Sequence, residues 1–144
     1  MPKMYMFTNH TADIEFVAYG KATAELFKNS LLAMFEAIAD TKKLQGDGRP
    51  TRQFSVAAKS YTEVEALWLL LQGALSKADA MGCFCYSARV MPIKKEKGKC
   101  SVNAICYAKK KTPESANFDV KGVSLFDMKI RKGKRLSASV VLDV

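Results

Sequence analysis

Ile14-Glu15-Phe16-Val17-Ala18-Tyr19-Gly20, followed at once by Lys21-Ala22-Thr23-Ala24-Glu25-Leu26-Phe27, is the stretch on which the fold turns. Ile14 to Tyr19 alternates in the way a half-buried strand requires, and Gly20 interrupts it. Thr23 is then a plausible N-cap and Glu25 suits a first helical turn, where a negative charge meets the positive end of the helix dipole. Phe27, Leu31, Met34, Phe35 and Ile38 recur at helical spacing, so a helix with one core-facing stripe follows the strand.

The same order repeats further on. Asp40 to Pro50 is polar and carries Gly46, Asp47, Gly48 and Pro50, the composition of a loop. Gln53 to Ala58 alternates again, with Phe54, Val56 and Ala58 on one face. Ser60-Tyr61-Thr62-Glu63 has capping-box form and predicts a helix over Tyr61 to Asp79, on which Val64, Leu67, Trp68, Leu71, Leu75 and Ala78 share the buried stripe. Trp68 is expected in the core rather than as a ligand platform. After Gly82 the spacing predicts four strands, Cys83–Met91, Lys99–Lys109, Asn117–Ile130 and Arg135–Val144, separated by Lys97-Gly98, a loop with Pro113, and Gly133. Strand, helix, strand, helix and four strands make an α+β domain over 1–144, two amphipathic helices packed on a largely antiparallel or mixed β-sheet. In an up-and-down arrangement the basic turns 94–99 and 131–135 fall at one end, with Asp143 and the 109–117 loop at the other.

A chain of 144 residues suits one domain and buries roughly 68–70% of its unfolded surface, enough core to need no disulfide. No apolar run approaches the ~20 residues of a spanning helix and no signal-peptide core is present, which predicts a soluble, cytoplasmic protein. Cys83, Cys85, Cys100 and Cys106 lie in strand-like segments. Their spacing matches no zinc module, and the single histidine, His10, is remote in sequence, so buried free thiols are expected. The net charge of +9 comes largely from Lys94, Lys95, Lys97 and Lys99, from Lys109, Lys110 and Lys111, and from Arg131, Lys132, Lys134 and Arg135. Such clusters either neutralise phosphates or simply solvate turns, and no RNP pattern, GXXG loop or helix-turn-helix accompanies them.

The chemistry-bearing residues stand at the two ends of the chain. Leu136, Ala138, Val140 and Leu142 fall on one face of a terminal strand, and Ser137, Ser139, Val141 and Asp143 on the other, so the terminus is anchored. If the fold joins Asp13 to Asp143 and to a free Val144 carboxylate, three acidic oxygen groups share a small volume, and a hard cation such as calcium or magnesium relieves their repulsion. The competing reading of Asp13 is a turn residue or cap that accepts from backbone N–H groups.

His10-Thr11-Ala12-Asp13, the strand ending in Tyr19-Gly20, the Ala24-Glu25-Leu26-Phe27 helix start and the terminal Val141-Leu142-Asp143-Val144 together resemble the archease family over the full length of the chain. The resemblance implies an archease-like domain that is an accessory protein of RtcB-type RNA ligases, which join RNA ends in tRNA splicing and RNA repair. It implies an activator rather than an enzyme, one that promotes GTP-dependent guanylylation of the ligase and multiple turnover through a bound divalent cation, calcium being the family's assigned metal. Carried onto this chain, the ligands are the side chains of Asp13 and Asp143 and the terminal main-chain oxygen of Val144. Lys121, in Val120-Lys121-Gly122-Val123, becomes a candidate for contact with the ligase or its nucleotide. Ser124-Leu125-Phe126 stands where relatives often read Thr-Tyr-His. The alternatives are a general chaperone or modulator of RNA-processing enzymes, a basic RNA-binding module, and a small hydrolase using Asp13 and the cation.

Overall fold

The computed structural model describes residues 3–8 and 13–144. Strand β1 (Tyr5–Thr8) pairs antiparallel with β2 (Ile14–Gly20), and β2 leads directly into α1 (Thr23–Ile38). A short helix, α2 (Thr41–Gly46), precedes β3 (Arg52–Ser60), which leads into α3 (Glu63–Ala80). Then come β4 (Cys83–Val90), β5 (Lys94–Glu96), β6 (Lys99–Lys110), β7 (Gly122–Val123), β8 (Lys129–Lys132) and β9 (Leu136–Asp143).

The expected α+β class holds, and all the described pairings are antiparallel, but the strands divide into two sheets rather than one. The first runs β1-β2-β9-β7 with β8 also on β9, and the second runs β3-β6-β4 with β5 also on β6. Each sheet follows the same plan. A long strand, β9 or β6, pairs along one edge with the strand that feeds a helix and along the other with two shorter strands in succession. The helices do not cover one face of one sheet. Both contact strands of both sheets, α1 against β2, β9 and β4 and α3 against β3, β6 and β7. That is why α1 buries Leu26, Phe27, Leu31, Met34 and Phe35 almost completely: a helix with sheet on two sides needs a wider apolar surface than a single stripe. Gly20 belongs to β2 rather than ending it. A Cβ there would stand 2.4 Å from the backbone nitrogen of Leu26, so the strand-to-helix corner closes only on glycine.

Both helix starts differ from the sequence expectation by one or two residues. Ala22, not Thr23, is the N-cap of α1 and offers no side-chain acceptor, while Thr23 Oγ1 donates to Glu63 Oε2 at 3.0 Å and ties the starts of α1 and α3 together. Thr62, not Ser60, caps α3 by accepting from the Glu65 backbone N–H at 3.1 Å, and Ser60 Oγ donates to Glu65 Oε2. The predicted loop over Asp40–Pro50 contains α2, capped by Asp40, which accepts from the Lys43 N–H at 3.1 Å. Leu44 on that helix is fully buried and shares a small second core with Ala39 and Phe84.

The predicted strand over Asn117–Ile130 is the largest difference. Asn117 and Phe118 donate their backbone N–H groups to Ile38 and Ala37 carbonyls at 2.9 and 3.1 Å. They satisfy acceptors that the last turn of α1 leaves open. Only Gly122–Val123 and Lys129–Lys132 pair with β9, and between them Ser124 Oγ donates to Asp127 Oδ2 within a turn.

Candidate functional site

β2 and β9 run antiparallel with Ile14 opposite Leu142, Phe16 opposite Val140 and Gly20 opposite Leu136. Continued by one residue, this register sets Asp13 across from Asp143, at the end of the sheet away from the α1 start. Directly opposed residues of an antiparallel pair have Cα atoms about 4.5–5.5 Å apart, within reach of a shared small ligand. Asp143 is exposed and its neighbour Val144 is 44% exposed. His10, Thr11 and Ala12 lie outside the described residues. Among the described residues no group of three His, Cys, Asp or Glu side chains is placed to hold a metal. The candidate set has two carboxylate side chains and a main-chain oxygen.

What positions Asp143 is a clamp the sequence did not disclose. One turn apart on α3, Trp68 and Gln72 grip the two backbone polar groups of Val123: Trp68 Nε1 donates to the Val123 carbonyl at 2.7 Å, and Gln72 Oε1 accepts from the Val123 N–H at 3.1 Å. This holds β7 against β9. Gly122 then pairs with Asp143, and Lys121 donates its backbone N–H to the Asp143 carbonyl at 2.7 Å. A Cβ built on Gly122 would meet Asp143 Oδ2 at 3.7 Å and Gln72 Oε1 at 3.8 Å, so a carboxylate oxygen and an amide oxygen flank a space that glycine leaves open. Trp68 is half-buried and packs against the core, as its helical spacing predicts, but its indole N–H serves this end of the sheet. The i, i+4 relation of Trp68 and Gln72 was visible in the sequence. Their common target was not, because it lies 51 residues from Gln72. The Lys121 side chain is exposed beside them.

Asp13 lines two clefts, one of about 290 Å³ with Phe7, Thr8, Glu36 and Phe118, and one of about 660 Å³ with Glu15, Phe126, Asp127, Lys129 and Arg131. Glu36 is engaged elsewhere, since it accepts the Tyr5 hydroxyl. Burial, and then this carboxylate, push the Tyr5 phenol above its ordinary range. Phe126, at the tip of the 124–128 turn, is 95% exposed and Phe118 is 57% exposed. The Asp13–Asp143 end thus combines carboxylates with bare aromatic surface.

The other sequence candidates separate clearly. All four cysteines are buried and free. Cys85 is held protonated by its hydrogen bond with Cys106 and by burial, so it offers no reactive thiolate. Two of the 109–111 lysines are paired with carboxylates: Lys109, almost completely buried, meets Asp47 Oδ1 at 2.9 Å, and Lys111, at the surface, meets Asp79 Oδ1 at 2.9 Å. The Lys109 ammonium, then the Arg49 backbone N–H, hold the Asp47 carboxyl well below the usual carboxylate range. No helix among the described residues is long and apolar enough to cross a membrane.

Comparison with known proteins agrees with this architecture. The model of the "Archease protein family (MTH1598/TM1083)" matches residues 5–144. The chain is 32% identical to the protein archease of Methanosarcina mazei over 145 aligned positions, covering 99% of this chain and 97% of that one. It is 34% identical to the protein archease of Methanosarcina barkeri with the same coverage. Its fold is similar to the solution structure of Methanobacterium thermoautotrophicum protein 1598, with a TM-score of 0.77, 25% identity and coverage of 98% and 99%. The fold also resembles the crystal structure of a Thermotoga maritima archease described as a possible chaperone, with a TM-score of 0.57, 19% identity and coverage of 95% and 94%. By sequence along nearly its whole length, and by fold, the chain belongs to the archease family.

Proposed function

We propose that this archease is an accessory protein that activates an RtcB-type RNA ligase in tRNA splicing and RNA repair, promoting GTP-dependent guanylylation and repeated turnover. It acts in the cytoplasm through a divalent cation, calcium, held by Asp13, Asp143 and the Val144 main-chain oxygen. The observation that carries this reading is the β2–β9 register, which directs the start of β2, just after Asp13, and the end of β9, at Asp143, to the same end of one sheet. The donor chemistry fits: the candidate ligands are oxygens, the nearby Gln72 amide adds another, and the cysteines are buried elsewhere. Bound there, the cation supplies positive charge that favours an anionic nucleotide at the ligase. The chain's own residues do the positioning. Trp68 and Gln72 fix β7, β7 fixes Asp143, and Lys121 stands exposed beside them to meet the ligase or its nucleotide. Phe118 and Phe126, uncovered next to Asp13, give a protein partner apolar surface to bury. The protein itself carries out no covalent step.

A reconstituted RNA ligation with the ligase at substoichiometric concentration tests this. Added archease raises the number of turnovers and the guanylylated fraction, and Asp13→Ala and Asp143→Ala remove both effects. Wild-type stimulation by both variants would take the cation out of the mechanism. No stimulation by the wild-type protein would end the ligase reading. A general chaperone role is the second reading, favoured by the exposed Phe126 and by the description of the Thermotoga relative. It predicts protection of unrelated proteins from aggregation.

A further inference from the structure

The two remaining basic clusters occupy the tips of two hairpins, β5–β6 and β8–β9, one from each sheet. They share the end of the molecule opposite Asp143, and specific contacts join them. Lys95 pairs with Cys100 on one side of β6 and Ser60 pairs with it on the other, and Ser60 leads through Tyr61 and Thr62 to the start of α3. There Glu63 meets Thr23, at the start of α1, and Lys132 Nζ at 3.7 Å. The starts of both long helices, with their partial positive charge, therefore lie between the two hairpins.

This charge is not consumed internally. Lys109 and Lys111, at the other end, each hold a carboxylate at 2.9 Å. Among the described residues Lys95, Lys97, Lys99, Lys134 and Arg135 form no such pair, and Lys132 makes one long contact while 72% exposed. Tyr61 is 71% exposed, with the Lys99 ammonium 5.0 Å from its ring centre. Arg135 stacks on Tyr19 at 3.7 Å, which holds its guanidinium in place. An exposed aromatic ring beside one unpaired cation, on an end of the molecule that carries several more, is the arrangement that takes a phosphate chain with a base stacked on the ring. A membrane surface would call for an amphipathic helix with an apolar face, which neither hairpin has.

We propose that this basic end binds single-stranded nucleic acid, its phosphates held by Lys95, Lys97, Lys99, Lys134 and Arg135 and a base stacked on Tyr61. The binding involves no ligase and no cation, so it is measured on the protein alone and its failure leaves the ligase reading standing. The test is fluorescence anisotropy with labelled oligouridylate and oligothymidylate as probes. With roughly five phosphates neutralised at about 0.7 counterion each, affinity falls about a hundredfold between about 50 and about 200 mM salt. The combined variant Lys97→Glu, Lys99→Glu, Lys134→Glu, Arg135→Glu abolishes binding while its circular dichroism melt stays cooperative. Tyr61→Ala weakens binding roughly tenfold at an unchanged salt slope. Absence of binding at about 50 mM salt, or full binding by the charge-reversed variant, overturns the proposal. So does equal affinity for polyglutamate or for phosphatidylserine vesicles, which marks a general polyanion surface. If Tyr61→Ala leaves the affinity unchanged, the stacked base is overturned.

Discussion

The two ends of this molecule are built from the same parts and left in opposite electrical states. At one, Asp13 stands just before β2 and Asp143 ends β9, with Lys121, Phe118 and Phe126 exposed around them. At the other, two hairpin tips and two helix starts gather positive charge, with Tyr61 exposed beside Lys99. Lys109 and Lys111 are neutralised by Asp47 and Asp79, whereas most of the cations at the basic end form no ion pair among the described residues. Exposed charge left unpaired is available for a ligand, and charge paired inside the fold is structural. The comparison divides the labour we propose: a cation and a protein partner at the acidic end, a polyanion at the basic end.

The largest expected effect breaks the acidic end alone. Asp143→Ala weakens calcium binding, measured by titration calorimetry, by at least about a hundredfold, since it removes a proposed ligand where loss of a supporting hydrogen bond already costs about 10–100-fold. Oligonucleotide affinity stays unchanged, and a parallel loss at both ends would refute their independence. Next, Phe126→Ser lowers affinity for the ligase about tenfold or more, as loss of an uncovered aromatic anchor does. Its melting curve moves little, because a residue 95% exposed contributes almost nothing to the core. A smaller effect separates positioning from ligation: Trp68→Phe keeps the ring but leaves the Val123 carbonyl unpaired. It costs about 1 kcal/mol of stability and a severalfold loss of calcium affinity, and if only stability changes, the clamp does not serve the site. The smallest effect is at the basic end. Thr62→Ala deletes the α3 cap for about 1 kcal/mol, read as a lower denaturation midpoint with both binding activities intact.

How much of this was legible depended on how far apart the interacting residues lie. The period-two run Leu136–Leu142 and the helical stripes of Phe27, Leu31 and Met34 and of Leu67, Leu71 and Leu75 appear where their spacing put them. The basic turns fall at the tips of the β5–β6 and β8–β9 hairpins, although the strands divide between two sheets rather than forming the expected up-and-down order. α2 was hidden because Gly46, Asp47, Gly48 and Pro50 advertise a loop while the helix stands on one cap, Asp40, and one buried side chain, Leu44. β1, only four residues long, precedes the more obvious β2 and gains its pairing from it. The 117–121 segment looked like strand, but the N–H groups of Asn117 and Phe118 are drawn to the end of α1, a partner some 80 residues away in the chain. The Val123 clamp was equally out of reach.

Local spacing in the amino-acid sequence therefore determined the two long helices and the longer strands, which of their side chains face the core, that the cysteines are buried and that the last strand is anchored. Periodicity and turn chemistry act over a few residues, so one chain suffices to read them. Only the tertiary structure decided that the strands form two sheets with the helices contacting both, that β2 pairs with β9 so that Ile14 lies opposite Leu142, and that Lys109 and Lys111 are paired with carboxylates while the lysines of the hairpin tips are left open. Those outcomes are set by pairing across tens of residues, where strand register and the supply of carboxylates, rather than local preference, select the partner.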